Sequence, residues 1–309
     1  MALLFQSSID SAERWSAELH RLLPDLEIRV WPQIGNTGEI DVALVWRPPS
    51  GLLASLPKLK LIAALGAGVD HVLADPLIPA GVPVVRLVDP YMTAAMSEYV
   101  QLQVLRLHRQ DPVYLAQQRE HVWRERPQPN AAGRRVGVLG MGELGRDAAL
   151  KLSVLGFDIA GWSRTERRLP GIVCFHAAEG LRALLARSEI LVCLLPLTPA
   201  TEGILDARLF AGLPSGAAIV NCARGQHLVE ADLVAALDSG QLSAAILDVF
   251  RDEPLPPQHP FWSDPRILIT PHVAAATHAP TAAPVVADNV RRLRQGRPLL
   301  HLVDRERGY

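Results

Sequence analysis

The chain has 309 residues, almost half of them hydrophobic, with 31 basic and 32 acidic side chains. This length predicts two domains, and the net charge of −1 argues against nucleic acid as a partner. The three cysteines form no C-x-x-C pair, so neither a disulfide framework nor a zinc site is expected. They are instead expected to be buried thiols in a reducing compartment. Without a signal peptide or an apolar run of about 18 residues, a soluble cytoplasmic protein with no membrane partner is predicted.

Short apolar runs alternate with helical patterns in the first third of the chain. Residues 11–23, for example, carry Trp15, Leu19 and Leu22 at helical spacing. Strands are predicted at 2–6, 28–31, 41–46, 60–65 and 82–87. This alternation predicts βα units on a mostly parallel sheet.

A polar stretch, residues 110–134, follows a predicted helix from Ala94 to about His108. Its few large apolar residues lack a continuous core pattern. A linker and an arm that reaches a second subunit both remain compatible with it.

A second βα series then begins. Its strands are predicted at 135–139, 157–162, 189–195, 217–222, 243–249 and 267–270. The sequence therefore predicts an α/β protein with two domains, each a doubly wound and mostly parallel sheet. The first spans residues 1–98, the second 99–278, and residues 279–309, with a helix at 282–294, complete the first.

A glycine pattern connects the first strand of the second series to a helix at 146–155. The loop consists of Gly140, Met141, Gly142, Glu143, Leu144 and Gly145. In dinucleotide-binding folds the first glycine allows a tight turn, the second lets the backbone approach the pyrophosphate, and the third allows close packing of helix on strand. The helix N-terminus then favours the anion. A plain strand–helix turn or a methyltransferase loop would carry similar glycines.

The acid that normally binds the adenosine ribose is missing. It is expected about 20 residues after the glycines, where the sequence has Ser163, Arg164 and Thr165. An acid would repel a 2′-phosphate, whereas arginine binds phosphate through charge-assisted hydrogen bonds. This favours NADPH/NADP⁺, with NADH possible but weaker. The alternative is that the arginines belong to a solvated loop.

Three later loops follow predicted strands at the edge where open α/β sheets bind ligands. They contain Arg224, Glu253 and His272. Each alone is compatible with a structural role. Together they supply a cation for a carboxylate, an acid/base that titrates near neutrality, and a carboxylate that orients it. This set suits the reduction of a 2-oxo acid.

The chain at this point resembles the D-isomer-specific 2-hydroxyacid dehydrogenases. The resemblance rests on the glycine loop and on LLPLTPAT (194–201), NCARG (221–225), LDVFRDEPLP (247–256) and TPHVAAAT (270–277). Within that family it is similar to the NADPH-dependent glyoxylate/hydroxypyruvate reductase A group. This closer resemblance rests on LVWRPP (44–49), ALGAGVDHVLA (64–74), GWSRT (161–165) and VDRERGY (303–309).

The resemblance implies a Rossmann-type cofactor domain and a flavodoxin-like substrate domain. It also implies that Arg224 binds substrate, that His272 is the acid/base and that Glu253 is its partner. The other implied contacts are Trp46, Ala67 and Gly68 for the substrate, Leu195, Pro196 and Thr201 for the adenosine and pyrophosphate, and Cys222, Ala223 and Asp248 for the nicotinamide. ALGAGVD could equally be a plain turn, and Asp248 a strand-end carboxylate.

The resulting expectation is an NADPH-dependent reductase of small 2-oxo acids, glyoxylate to glycolate and hydroxypyruvate to glycerate. The family further implies a homodimer formed through the cofactor domain, with residues 111–135 embracing the partner. A reductase of a bulkier 2-oxo acid and a non-catalytic dinucleotide sensor are the alternatives.

Overall fold

A computed structural model describes all 309 residues of the protein. The chain divides into two compact units. The first comprises Met1–Met92 together with Ala276–Tyr309, and the second comprises Thr93–Ala275. The boundaries predicted from the sequence, after residues 98 and 278, lie a few residues further along the chain.

The two units contain twelve strands and nine α-helices. The strands are Ala2–Gln6 (β1), Glu27–Val30 (β2), Ile40–Val45 (β3), Leu61–Ala64 (β4), Val84–Val85 (β5), Arg135–Leu139 (β6), Asp158–Ser163 (β7), Val173–His176 (β8), Ile190–Cys193 (β9), Ala217–Asn221 (β10), Leu242–Leu247 (β11) and Ile267–Ile269 (β12). The helices are Ala12–Leu22 (α1), Asp70–Leu73 (α2), Pro90–His108 (α3), Asp111–Arg119 (α4), Glu143–Val154 (α5), Ala177–Arg187 (α6), Ala207–Ala211 (α7), Glu230–Asp238 (α8) and Ala279–Arg294 (α9).

The first unit is built on a five-stranded parallel sheet with the order β2-β1-β3-β4-β5. This is the flavodoxin-like strand order. Helix α1 buries Trp15 and Leu19, and it packs against α9. The guanidinium of Arg291 on α9 donates to the Leu22 carbonyl at the end of α1, 2.8 Å away. The last helix therefore belongs to the first unit.

The second unit is built on a seven-stranded parallel sheet with the order β12-β11-β10-β9-β6-β7-β8. Counted from β6, this is the Rossmann order with one additional strand. Apolar clusters cover both faces. One includes Ala148 and Leu152 of α5, and the other includes Leu233 and Leu237 of α8. The prediction of two parallel-sheet α/β domains is confirmed.

The sequence prediction missed one strand, β8. It has only four residues, and Val173 and His176 at its ends are exposed. Such a short, half-exposed strand lacks the apolar run or the strict alternation that identifies strands in a sequence. β8 lies at the edge of the sheet and pairs only with β7.

The polar stretch after α3 is folded back on itself. It begins with α4, and the Tyr114 hydroxyl then accepts hydrogen bonds from the Arg126 backbone N–H (3.3 Å) and the Gln128 amide (3.0 Å). The Gln110 side chain donates to the Pro127 carbonyl at 2.6 Å. This stretch, residues 111–130, is called the arm below.

No helix of this structure is long and apolar enough to cross a membrane. No group of three or more His, Cys, Asp or Glu side chains is arranged to hold a metal ion.

Candidate active site

The glycine loop lies between β6 and the N-terminus of α5. Gly140 has φ +100°, and a Cβ there would lie 2.6 Å from the Leu194 carbonyl oxygen. A Cβ on Gly145 would lie 1.9 Å from the Gly140 oxygen. Only glycine therefore fits at both positions without a steric clash. Gly142, the N-cap of α5, has no heavy atom within 4 Å of a built Cβ.

The open space at Gly142 lies at the N-terminus of α5. There the first backbone N–H groups of the helix have no carbonyl partner within the helix. Unpaired N–H groups and the positive end of the helix dipole suit a phosphate group. The loop therefore fits the pyrophosphate of a dinucleotide.

The other three residues of the loop use their side chains within the protein. Met141 is buried and fills the space above Gly161, where a Cβ would lie 2.1 Å from its sulfur. Leu144 packs against the core, and Glu143 forms an exposed ion pair with Arg146 at 3.1 Å. Their predicted contacts with a cofactor are thus left to their backbone atoms.

Ser163 is the last residue of β7 and starts the loop that lacks the ribose acid. Its hydroxyl donates to the Thr165 carbonyl at 2.7 Å, which tightens the turn. Arg164 and Thr165 are exposed. The nearest carboxylate in sequence, Glu166, pairs with Arg168 at 3.1 Å. The loop therefore presents a net positive charge beside the end of β7.

The loop after β9 is closed by internal hydrogen bonds. The Thr201 hydroxyl donates to the Pro196 carbonyl at 2.7 Å and accepts from the Thr198 N–H at 2.9 Å. Leu195 is buried. This loop starts beside Gly140, because the Leu194 carbonyl restricts that position to glycine.

Arg224 lies in a rigid turn after β10. The Asn221 amide donates to the Arg224 carbonyl at 3.0 Å, and the Arg224 N–H donates to Nδ1 of the buried His227 at 3.2 Å. His227 Nδ1 also lies 3.1 Å from the Arg224 carbonyl oxygen, and Nε2 lies 3.3 Å from the Pro196 carbonyl oxygen. The Arg224 guanidinium donates to the Ala223 carbonyl at 2.7 Å.

The same turn approaches the loop after β11 closely. A Cβ on Gly225 would lie 1.9 Å from the Phe250 carbonyl carbon. Only glycine allows the two backbones to be this close. The turn that carries Arg224 and the loop that carries Glu253 are thereby fixed against each other.

Asp248, at the end of β11, is buried and accepts three hydrogen bonds. They come from the Thr270 hydroxyl (2.5 Å) and from the backbone N–H groups of Val273 (2.9 Å) and Ala274 (2.9 Å). Burial raises the pKa of Asp248, and the three hydrogen bonds oppose this rise. In this structure the Asp248 carboxylate anchors the loop that carries His272, and its contact with a nicotinamide remains a prediction.

His272 and Glu253 form a hydrogen-bonded pair. His272 Nδ1 lies 2.9 Å from Glu253 Oε2, and Oε1 of Glu253 accepts from the Phe250 N–H at 3.1 Å. The His272 backbone N–H donates to the Asp248 carbonyl at 2.8 Å and its φ is +54°, a left-handed conformation that is unusual for a non-glycine residue. Strained residues that their surroundings hold in place are found preferentially at functional sites.

Cys193 ends β9, Cys222 directly follows β10, and both are buried. The Cys222 thiol faces the Cys193 carbonyl at 3.7 Å. Burial raises the pKa of Cys193 to about 12 and that of Cys222 well above the ordinary value for a thiol. Both stay protonated at neutral pH, so neither is a nucleophile.

The predicted substrate residues Trp46, Ala67 and Gly68 lie in the first unit. Trp46 follows β3 and packs on His71, with ring centroids 4.4 Å apart. A Cβ on Gly66 would lie 2.8 Å from the Trp46 ring, so Gly66 makes room for it. Ala67 and Gly68 form a half-buried loop between β4 and α2.

The sequence analysis missed several residues that position this site. Thr270 links Asp248 to the Tyr99 hydroxyl, which lies 2.7 Å from the Thr270 hydroxyl. Burial raises the pKa of Tyr99, so its hydroxyl remains neutral. His227 and Gly225 position Arg224. The signals in the sequence are that Gly225 ends the NCARG motif, with His227 two residues later, and that Thr270 begins the TPHVAAAT motif.

Comparisons with known proteins agree with the motifs. The family model for the NAD-binding domain of D-isomer-specific 2-hydroxyacid dehydrogenases matches residues 102–274. A protein of Yersinia enterocolitica named glyoxylate/hydroxypyruvate reductase A is 44% identical, with 100% of both chains covered. A protein of Serratia proteamaculans with the same name is 43% identical, also with 100% of both chains covered.

Two solved structures are similar over the whole chain. The D-isomer-specific 2-hydroxyacid dehydrogenase of Xanthobacter autotrophicus Py2, in complex with NADPH and MES, has a TM-score of 0.96 and 46% identity, covering 100% of this chain and 99% of that one. The NADPH-dependent glyoxylate/hydroxypyruvate reductase of Sinorhizobium meliloti, in complex with NADP and sulfate, has a TM-score of 0.93 and 41% identity, with 100% of both chains covered.

The resemblance inferred from the motifs is confirmed by these matches. The family model covers most of the second unit, and the full-length matches cover both units. The chain belongs to the D-isomer-specific 2-hydroxyacid dehydrogenase family.

Proposed function

We propose that the protein is an NADPH-dependent reductase of small 2-oxo acids, converting glyoxylate to glycolate and hydroxypyruvate to glycerate. The observation that carries this proposal is the pair of His272 and Glu253, with Nδ1 and Oε2 2.9 Å apart, on loops fixed against the turn that carries Arg224. The names of relatives more than 40% identical over the whole chain support the same activity.

The histidine is the proton donor of the proposed reaction. Nδ1 of His272 donates to Glu253, so the proton for the substrate is carried on Nε2. The carboxylate stabilises the protonated ring and fixes its orientation. After the transfer the ring is neutral, with its remaining hydrogen on Nδ1, still bonded to Glu253.

Arg224 binds the carboxylate and the carbonyl oxygen of the substrate. Its guanidinium is always charged and carries N–H donors in a planar fork, a geometry that matches the carboxylate of a 2-oxo acid. When bound, NADPH supplies a hydride to C2 of the substrate. As C2 becomes tetrahedral, negative charge collects on the carbonyl oxygen, where Arg224 stabilises it and the Nε2 proton of His272 neutralises it.

The first unit contributes the remaining substrate contacts. The backbone N–H groups of Ala67 and Gly68 bind the substrate carboxylate, and Trp46 limits the size of the substrate side chain. The close packing of Trp46 on His71 and Gly66 supports a fixed position for this ring.

Each part of the cofactor is assigned to a different segment of the second unit. The backbone of residues 140–145 binds the pyrophosphate, and residues 163–165 bind the 2′-phosphate of NADPH. Leu195, Pro196 and Thr201 contact the adenosine and pyrophosphate, while Cys222, Ala223 and Asp248 lie near the nicotinamide. The open space at Gly142 and the absence of an acid at 163–165 support this assignment.

The test is steady-state kinetics with glyoxylate, hydroxypyruvate and larger 2-oxo acids, each with NADPH and NADH. We expect the highest kcat/KM for the two small acids with NADPH. A preference for a larger acid would identify the bulkier-substrate alternative. NADPH binding without oxidation by any 2-oxo acid would favour the non-catalytic sensor.

We also propose that the protein forms a homodimer through its second unit. Leu102 and Leu105 on α3 and Leu115 on the arm are exposed, and Trp123 of the arm is 97% exposed. Exposed large apolar side chains on α3 and on the arm that follows it are typical of an interaction surface. The family resemblance assigns this surface to a second copy of the chain.

The dimer is tested by light scattering after size-exclusion chromatography. We expect twice the chain mass of 33.7 kDa for the wild type and a monomer for Leu102→Glu. Leu77→Glu is the matched control, because Leu77 is an exposed leucine of the first unit. A monomeric wild type, or a Leu102→Glu variant that remains a dimer, contradicts the proposal.

We further propose that the protein works in the cytoplasm. Its three cysteines are unpaired, which suits a reducing compartment. Fractionation of the source cells tests this, and recovery outside the cytoplasm would contradict it.

A further inference from the structure

A cavity of about 330 Å³ lies under the loop that joins β7 to β8. It is lined by Glu166, Arg167, Arg168, Leu169, Ile172, Cys174 and His176. Leu169, Ile172 and Cys174 belong to the apolar side of the cavity and pack against the core. A water molecule occupies about 30 Å³ in the liquid, so the cavity has room for a phosphate group and several waters.

The polar side of the cavity carries unpaired positive charge. Glu166 is already paired with Arg168 at 3.1 Å, and this pair is exposed. Arg167 has no hydrogen-bond or ion-pair partner, and neither has the His176 side chain. The lining can therefore accept an anion without breaking an existing ion pair.

The register of the sheet places this cavity beside the loop after β7, which lacks a ribose-binding carboxylate. His176 is the direct neighbour of Ser163 in the parallel pairing of β8 with β7, and Cys174 is the neighbour of Gly161. Neighbouring residues on adjacent strands are about 4.8 Å apart, and their side chains point to the same face. The side chains of Ser163 and His176 therefore lie next to each other, at the ends of their strands.

We propose that this cavity extends the 2′-phosphate site, and that His176 and Arg167 are two further ligands of the 2′-phosphate of NADPH. This inference rests on the proposed NADPH-dependent function and adds two residues that the glycine and arginine motifs do not identify. Arg167 contacts the phosphate from the loop, and His176 contacts it from the edge strand β8. The proposed site then surrounds the phosphate with donors from both sides of Ser163.

Calorimetric titration with two cofactor fragments tests the proposal without any catalytic turnover. Adenosine 2′,5′-bisphosphate carries the 2′-phosphate, whereas 5′-AMP lacks it. Both are titrated into the full-length wild type and into the His176→Gln and Arg167→Gln variants. His20→Gln and Arg208→Gln are the matched controls, because both are exposed residues outside the cavity.

We expect each cavity variant to weaken binding of the bisphosphate by about three- to fivefold, as for the loss of one exposed ion pair. Binding of 5′-AMP should be unchanged, and both control variants should bind like the wild type. Since His176 and Arg167 are exposed, the variants should also melt at the temperature of the wild type.

The outcomes separate this inference from the function on which it rests. A wild type that binds both fragments equally well contradicts the proposed preference for NADPH itself. A wild type that prefers the bisphosphate, with cavity variants that bind it as tightly, overturns only the assignment of His176 and Arg167. Equal weakening of both fragments would also overturn it, because the effect would then not depend on the 2′-phosphate.

Discussion

The two ends of the cofactor-domain sheet are built in different ways. At the end formed by β10, β11 and β12, Asp248 accepts three hydrogen bonds and the His272–Glu253 pair is fixed by backbone contacts. At the other end, after β7, the loop is exposed. There the Ser163 hydroxyl donates to the Thr165 carbonyl, and Glu166 pairs with Arg168.

The difference fits the roles proposed for the two ends. Hydride and proton transfer require atoms to be held within a fraction of an ångström, and the hydrogen bonds of Asp248 and of the partly buried His272–Glu253 pair suit that requirement. Recognition of a 2′-phosphate requires only positive charge and a few donors near the end of β7. Substitutions at the rigid end should therefore lower activity strongly. Substitutions at the exposed end should change the preference for NADPH over NADH while the protein still folds.

The largest effect is expected for His272→Ala. Loss of the proton donor should lower kcat by about 10²- to 10⁴-fold, the usual contribution of a general acid. The dissociation constant for NADPH should stay close to the wild-type value. Steady-state kinetics and fluorescence titration measure the two quantities.

His20→Ala serves as the control, since His20 is an exposed residue of α1. Near-normal kcat in folded His272→Ala would remove His272 from the catalytic role. It would also mean that the hydrogen-bonded loops after β11 and β12 are not the catalytic part of the sheet.

Two glycines of one loop should respond in opposite ways. Gly145→Ala places a Cβ 1.9 Å from the Gly140 oxygen, so we expect a loss of about 1–3 kcal/mol in the free energy of unfolding from overpacking. Gly142→Ala has open space around its Cβ and a φ of −78°, so stability should be retained while NADPH binding weakens. Chemical denaturation and calorimetry measure these effects.

The pair contains its own control, because both variants add one methyl group to the same loop. Equal stability of the two proteins would contradict the close approach at Gly145. Full NADPH affinity in Gly142→Ala would contradict the placement of the pyrophosphate.

Arg164→Asp tests the exposed end. A carboxylate there repels a 2′-phosphate and can accept hydrogen bonds from ribose hydroxyls. We expect about a tenfold weaker binding of NADPH, the loss of one charge-assisted hydrogen bond, with NADH binding unchanged or improved. The ratio of the two dissociation constants is the measurement.

Arg208→Asp makes the same charge change on the exposed surface of α7. An unchanged NADPH/NADH ratio in Arg164→Asp would mean that this arginine belongs to a solvated loop. A ratio that changes equally in Arg208→Asp would point to the overall charge of the domain.

The smallest effect concerns His108, a buried histidine far from both loops in sequence. Burial, followed by the charges of Arg134 and Arg109, lowers its pKa from 6.5. The unfolded chain therefore binds a proton more readily than the folded one below about pH 6.5, and stability is lost as the pH falls through this range. The melting temperature should fall less steeply between pH 6.5 and 5 in His108→Gln.

His20→Gln, an exposed histidine of α1, is the control for this experiment. A melting temperature that falls equally in the wild type and in His108→Gln would contradict the assignment.

Much of this protein follows from local sequence patterns. Apolar runs that alternate with helical spacing predicted both parallel sheets, because strands and helices are specified by residues close together in the chain. The glycine loop and its missing acid predicted the dinucleotide fold and the preference for a 2′-phosphate. The loops with Arg224, Glu253 and His272 were identifiable because parallel strands bring their carboxyl ends to one edge.

Other features required the tertiary structure, since they depend on contacts between residues far apart in sequence. Nothing near Asp248 in the chain shows that Thr270, Val273 and Ala274 bind its carboxylate, and nothing near Gly225 shows that it meets Phe250. The edge strand β8 is too short for its pattern to identify it. Only its register against β7 places His176 beside Ser163 and forms the cavity from the loop between them.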